Sequence, residues 1–291
     1  VNVFITGAGG FIGKQLLEHI AADGRFEKIY CLWRRESDLP APFITVRGSL
    51  EELANIQPID ADICIHLAAV TDSTVSADED MFKINADGTA QVVDFCRKSH
   101  IAKIVFLSSI MVYLSEKYTY ADSKLAAEEH IKNAGIEYAI LRCSLVYGKG
   151  CPSFDKIVRF AKCLHFIPVL GNGKAYEQPI YMDEVCRTIL HHATQKQKSG
   201  IFDLFGKEKM TYNEMVKRIA AAAGHRVFLL HLPALPFRFV SAFCARHNLP
   251  FPIQPEQIAH MCEDLHSRGQ QADATQGMDL DGFEENLRKY M

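Results

Sequence analysis

The sequence is short of several features that would assign it to other classes. Its nine cysteines (31, 64, 96, 143, 151, 163, 186, 244 and 262) are odd in number, scattered, and never spaced as CxxC. Disulfide frameworks belong to small secreted chains and zinc sites to clustered ligands, so reduced, mostly buried thiols are expected instead. The twelve histidines show no HExxH or other metal-ligand spacing, and no metal is expected. His191 and His192 are adjacent, diverge around a helix, and read as a surface pair. No long Lys/Arg run occurs and the formal net charge is −3, which leaves no electrostatic footprint for nucleic acid. No uncharged apolar run approaches the ~18–20 residues a membrane span needs, and no secretory leader is expected. The expected compartment is the cytoplasm. No internal repeat or low-complexity segment is visible.

What is present is an ordinary globular composition, 48% hydrophobic and 23% charged over 291 residues, enough for one large α/β domain with a smaller lobe. The stretch Val1 to Gly13, VNVFITGAGGFIG, reads as a buried strand running into a glycine-rich turn and then a helix. Leu16, Leu17 and Ile20 continue it with helical spacing. Backbone N–H groups at such a helix start suit a dinucleotide pyrophosphate, and side chains at the glycines would obstruct its approach.

Strand and helix then alternate. Residues 28–33, 43–47, 62–69, 104–109 and 138–142 read as strands, 51–56 as a short helical segment, and about 78–99 and 120–133 as helices. This alternation implies a Rossmann-type α/β fold, a doubly wound parallel sheet with right-handed crossovers. Beyond Arg142 it loosens. Residues 1–148 plus about 177–205 are assigned to the dinucleotide-binding domain, and about 149–176 plus 206–291 to a smaller substrate lobe. Within the lobe, Thr211 and Glu214 are spaced as a capping box for a helix over 211–224. The apolar tract Val227 to Ile253, broken by four prolines, reads as lining of that lobe; a membrane-surface or partner helix is the other reading.

Tyr120-Ala-Asp-Ser-Lys124 is the second constellation. Residues four apart share a helix face, so the Lys124 ammonium can lie near the Tyr120 hydroxyl. A phenol is a poor acid near neutrality; a fixed neighbouring cation favours the phenolate and makes it usable as general acid or base. The strand 104–107 ends in Ser108-Ser109, at the carboxyl edge where open α/β sheets place their sites.

With TGxxGxxG (Thr6, Gly7, Gly10, Gly13), this Ser–Tyr–Lys set resembles the extended short-chain dehydrogenase/reductases, the NAD-dependent epimerase/dehydratase family. Further matching segments are His66-Leu-Ala-Ala69, Asn85-Ala-Asp-Gly-Thr89, Leu141-Arg142, Val146-Tyr-Gly148 and Tyr181-Met-Asp-Glu-Val185, so the resemblance spans nearly the whole chain. It implies Tyr120 as acid/base, Lys124 lowering its pKa and bonding the nicotinamide ribose, Ser109 (with Ser108 as fallback) holding the substrate oxygen, and Asn85 ordering the active-site backbone and water. It implies cofactor contacts from Gly7, Gly10, Phe11, Ile12 and Gly13, from Arg34, Arg35, Ser49 and Leu50, from Leu67, Ala68 and Ala69, and from Tyr120 and Lys124. A homodimer is the family default.

Four departures from the family pattern carry information. Where NAD-preferring members place an acidic residue, this chain has Arg34-Arg35, which can meet a 2′-phosphate and favour NADP over NAD. Ser49 stands where an adenine-contacting Asp is common. The segment 114–119 is short, which leaves the site expected to be more open on that side. Glu177-Gln178 replaces an Arg-Asp pair found in many nucleotide-sugar enzymes. The expected activity is NAD(P)-dependent hydride transfer, most readily at C4 of a nucleotide sugar by 4-keto reduction or epimerisation. A reductase of a non-sugar carbonyl and a catalytically silent cofactor-binding scaffold or sensor are the alternatives.

Overall fold

The computed structural model describes the whole chain except residues 36–37, 72–79, 117, 197–198, 248, 250, 252, 267 and 270. Short apolar runs become strands because each can be covered on both faces. In β1 (Val3–Thr6) every side chain is buried, and its alternation splits them: Val3 and Ile5 enter one core layer, Phe4 the other. The same division recurs in β4 (Ile63–His66) and β5 (Lys103–Ser109), where Ile65 and Val105 face one layer, Cys64 and Ile104 the other.

In chain order α1 (Phe11–Ala22) follows β1, then β2 (Ile29–Trp33) and β3 (Phe43–Arg47). After β4 come α2 (Gly88–Lys98), β5, α3 (Thr119–Lys132), β6 (Glu137–Cys143), β7 (Val146–Tyr147), α4 (Pro152–Leu164), β8 (Phe166–Leu170), β9 (Tyr176–Glu177), β10 (Ile180–Tyr181) and α5 (Met182–Thr194). The last third contains β11 (Gly200–Leu204), β12 (Met210–Thr211), α6 (Tyr212–Ala222), β13 (Phe228–Leu232), α7 (Ala234–Arg246), α8 (Pro255–Cys262), β14 (Ala272–Asp273) and α9 (Phe283–Tyr290).

Eight strands form one parallel sheet in the order β14-β11-β6-β5-β4-β1-β2-β3. The strand order reverses at β1, between β2 and β4, so the crevice where such sheets hold ligands opens beside the glycine-rich turn. Helices α1 and α5 pack in the layer with Val3 and Ile5, and α2 and α3 in the layer with Phe4. A third core cluster lies apart from these two layers; in it Tyr147 stacks on Phe154 (centroids 5.1 Å, planes 6° apart) and Phe283 meets Tyr147 edge-on.

The structure departs from the sequence expectations in several places. The strand at 62–69 stops at His66, and the helix drawn over 78–99 contains a π-turn at Lys83–Asp87 before α2; residues 78–79 lie outside the described set. Residues 272–273, placed by sequence with the small lobe, return to the main sheet beside β11. His192 is not a surface residue: it is buried, its Nε2 lies 2.9 Å from the Ala274 carbonyl, and it packs on Phe202. The capping box of α6 is half made, since Thr211 Oγ1 accepts from the Glu214 N–H while the Glu214 carboxylate lies near Arg218. Within the tract 227–253, Val227 and Leu229 pack against the third core as expected, whereas α7 fully buries only Ser241 and leaves Leu235, Phe239, Val240 and Phe243 exposed. All nine cysteines are unbridged, six of them buried, as their scatter implied.

The crossing of β1 and α1 allows no side chain at position 13, where a Cβ would stand 2.1 Å from the Gly7 carbonyl oxygen. Gly13→Ala is expected to cost about 1–3 kcal/mol, the usual penalty for overpacking, read as a lowered urea midpoint with an unchanged slope.

Candidate active site

The nucleotide end is built from backbone. Gly7 holds φ at +77°, and a Cβ there would lie 2.5 Å from the Ala68 nitrogen. The Gly10 N–H closes the turn on the Gly7 carbonyl at 3.0 Å, and Gly10 caps α1 without a side chain. The first N–H groups of α1 therefore have no side-chain cap, the condition that suits a phosphate. Phe11 is exposed at the turn; Ile12 and Leu67 pack against the core. At the end of β2, Arg34, Arg47, Gly48 and Ser49 line a cleft of about 480 Å³ that also takes in Glu52, Asn55 and Ile56. Arg35 lies 5.4 Å over the Trp33 ring, Arg47 pairs with Asp38, and Leu50 packs against Gly88. A side-chain-free turn, an uncapped helix start and a cleft bordered by arginines fit a dinucleotide.

A directed chain of hydrogen bonds joins this turn to the π-turn. Thr89 gives its only hydroxyl proton to the Asn85 carbonyl (2.5 Å), so it accepts from His66 Nε2–H (2.9 Å). His66 Nδ1 is then unprotonated and accepts from Thr6 Oγ1–H (2.6 Å), which in turn accepts from the Ala68 N–H (3.4 Å). Burial, assisted by the Lys124 charge, pushes the His66 pKa down to about 3, so the imidazole is neutral. Asn85 is spent on geometry: its amide clamps Val70 through N–H and C=O (2.8 and 2.9 Å) and donates to Ser123 Oγ at 3.0 Å.

Ser123 closes this link onto the Tyr120 carbonyl, so α3 is tied at the turn that carries the tyrosine. Tyr120 is half-buried in the first turn of α3; Lys124 is buried one turn on, donating to the Leu107 carbonyl (2.8 Å) and lying 4.4 Å over the Phe106 ring. Burial lowers the Lys124 pKa to about 8, with Glu128 opposing the fall. Ser109 ends β5, its hydroxyl accepting from the Met111 N–H at 3.2 Å. Ser108 points elsewhere and donates to the Glu128 carboxylate at 2.6 Å, which takes up the fallback hydroxyl.

That bond belongs to a network the sequence did not announce. Strands β5, β6 and β11 run in register, so Ser108, Arg142 and Asp203 stand in one row and face the same layer. Arg142 grips Glu128 with two nitrogens (3.0 and 2.6 Å) and donates to Tyr113 Oη at 3.0 Å; Tyr113 donates to Asp203 at 2.8 Å. Burial works against the Arg142 cation, yet its pKa is raised overall because Glu128 more than offsets that cost; burial also raises Asp203 and pushes Tyr113 up to about 12. The signal was legible in outline: Tyr120, Lys124 and Glu128 repeat at four-residue spacing.

The segment before α3 is covered rather than open. Leu114 is buried against Ala259 and Leu265, the Ser115 N–H donates to Glu263, and Glu116 pairs with Arg238.

Residues 3–205 match the model of the NAD dependent epimerase/dehydratase family. The chain belongs to that family. It is 25% identical over 244 residues to a ceramide reductase of Caulobacter vibrioides, covering 79% of this chain and 73% of that protein. It is 24% identical over 269 residues to the N-acetyl-α-D-glucosaminyl-diphospho-ditrans,octacis-undecaprenol 4-epimerase of Escherichia coli O157:H7, covering 84% and 78%. The solved structure of MoeE5 in complex with UDP-glucuronic acid and NAD shares the fold, with a TM-score of 0.74 at 20% identity, covering 100% of this chain and 97% of that one.

In this epimerase/dehydratase-family protein the buried histidines have a consequence for pH. His66 is neutral when folded and regains an ordinary imidazole when unfolded, so below about pH 6.5 the unfolded chain binds a proton the folded one refuses. His266, lowered to about 4 by burial, acts with the same sign. Stability measured by urea unfolding is expected to fall by about 1.4 kcal/mol per pH unit or more between about pH 6 and pH 4, and a flat profile would contradict a neutral His66.

Proposed function

We propose that this protein is an NAD(P)-dependent oxidoreductase of the extended short-chain type, acting on a substrate carbonyl or carbinol with Tyr120 as acid/base. The observation that carries the reading is the arrangement around α3: a half-buried Tyr120, a buried Lys124 one turn on, and Ser109 at the carboxyl end of β5, on the same sheet edge as the glycine-rich turn after β1. The bound nicotinamide cofactor supplies or accepts the hydride. Tyr120 gives or takes the proton on the substrate oxygen, Ser109 holds that oxygen, and the Lys124 cation keeps the phenol acidic enough to serve. Asn85 acts through backbone, fixing Val70 and, through Ser123, the first turn of α3.

For the cofactor we favour NADP. The end of β2 presents Arg34 in a cleft with Arg47 and Ser49, where a 2′-phosphate finds cationic and hydroxyl donors. For the substrate we favour C4 of a nucleotide sugar, by 4-keto reduction ahead of epimerisation; the UDP-sugar complex of MoeE5 supports the nucleotide sugar, and the E. coli relative, by name a 4-epimerase of a polyprenyl-diphosphate sugar, supports chemistry at C4. One observation favours a second reading, a carbonyl compound without a diphosphate. Glu177 is buried at the end of β9, its Oε2 has no hydrogen-bond partner among the described residues, and His260 Nε2 is 3.7 Å away. Burial raises its pKa, partly opposed by His260. A carboxyl there offers no cation to a pyrophosphate, and the Caulobacter relative is by name a reductase of a ceramide.

Fluorescence titration is expected to show NADPH bound about tenfold more tightly than NADH, with Arg34→Glu reversing the preference; equal affinities would remove the arginine from the account. Oxidation of the bound cofactor by 4-keto nucleotide sugars, against long-chain ketones, separates the two substrate readings. Tyr120→Phe should lower turnover by about 10²–10⁴-fold with cofactor binding kept, and undiminished turnover would leave only the silent scaffold. The kcat/KM profile is expected to decline on the alkaline side as the free enzyme's Lys124 loses its proton near pH 8.

A further inference from the structure

The feature that no part of the proposed chemistry uses is the outer surface made by β13 and α7. In β13 the outward residues Phe228 (83% exposed) and Leu230 stand two apart and project to one side, and Arg226, just before the strand, is exposed as well. Across Pro233, α7 turns inward Ala234, Phe237, Ser241 and Cys244. Its opposite stripe is Leu235, Phe239 and Phe243 at four-residue spacing, with exposed Arg246 three residues further. Leu235, Phe239 and Phe243 share one face of α7, and apolar side chains of this size grouped on a helix face mark a docking surface rather than scattered exposure.

Charge says what covers it. Between Glu214 and Glu256 the chain has no Asp or Glu, yet it carries Lys217, Arg218, Arg226, Arg238 and Arg246 within a protein whose net charge is −3. Arg218 and Arg238 are paired with Glu284 and Glu116, while Lys217, Arg226 and Arg246 are exposed. A second copy meeting the same face across a two-fold axis would bring cations against cations. An anionic bilayer accepts both components, taking the aromatic and leucine side chains below its headgroups and the arginines among its phosphates.

We propose that the β13–α7 face docks this protein on an anionic lipid surface. The inference stands apart from the substrate reading. The face is also coupled to the candidate active site: Arg238 of α7 pairs with Glu116 just before α3, and Glu256 of α8 accepts from the Ala121 N–H beside Tyr120 at 3.2 Å.

The test is co-sedimentation of the full chain with extruded vesicles of phosphatidylcholine alone and of phosphatidylcholine containing about one-third phosphatidylglycerol, at low and raised salt. Binding is expected at least about tenfold stronger to the anionic vesicles and weakened by salt. Phe239→Ser with Phe243→Ser should reduce it by about tenfold or more, and Arg226→Glu with Arg246→Glu by about tenfold or more, with cofactor affinity unchanged in both pairs. These four side chains are exposed, so the variants keep their fold. No binding to either vesicle, equal binding to both, or binding indifferent to the Phe pair overturns the proposal. So does concentration-dependent dimerisation that the Phe pair abolishes in a protein that ignores vesicles, which assigns the face to a second copy.

Discussion

Three backbones converge at the carboxyl end of β1, and the rest of the site depends on how closely they do so. The Gly7 carbonyl leaves no room for a Cβ on residue 13, and the Ala68 backbone leaves none on residue 7. With both side chains absent, α1 presses directly onto β1 and starts where the strand order reverses. The same closeness lets the Leu67 N–H bond the Thr6 carbonyl, so the chain after β4 borders the turn without an intervening side chain. An anion at the start of α1 then meets peptide N–H groups fixed by packing, which cost no reorganisation when a ligand arrives.

Polar order spreads outward from that point in one direction. Thr89 has a single proton and spends it on Asn85, and this fixes the tautomer of His66 and the role of Thr6 without any charge being buried. A protonated His66 would place two donors against two hydroxyls and a second cation near Lys124. Neutrality at His66 therefore preserves the π-turn that aims Asn85 and spares Lys124 a second buried cation nearby. The π-turn is the device that lets a helix residue turn its amide to Val70 and Ser123 at once.

Most of the sheet was readable because fully buried parallel strands are unbroken apolar runs and their crossovers have helical periodicity, as in 104–109 and 120–133. The glycine turn and the Tyr120–Lys124 pair were readable because backbone approach and helix spacing are both local properties. What was hidden is what strand register decides. Nothing local in Ser108, Arg142 or Asp203 says that three strands far apart in sequence will align them, so Ser108 stood only as the fallback for Ser109. The α7 part of the tract 227–253 misled for the opposite reason, since hydrophobicity alone does not say whether a face is packed or waiting for a partner. His192 went astray because adjacency on a helix says nothing about which of two neighbours faces the sheet.

The row of Ser108, Arg142 and Asp203 joins parts that otherwise meet only through the main chain. One end reaches α3 through Glu128, one turn beyond Lys124; the other reaches the C-terminal tail, where Asp203 accepts from the Gln271 N–H and contacts Gly269. Burying two carboxylates against one guanidinium costs more desolvation than a hydrophobic row of equal volume, so stability alone does not explain it. Direction does. Arg142 accommodates Glu128 in a bidentate grip and Tyr113 from one side only, which sets the rotation of α3 against β5 and the seat of the turn after Ser109. Tyr120 and Ser109 stand on the two elements so fixed, which makes a buried charge cluster the reason these two hydroxyl-bearing residues keep their relative places.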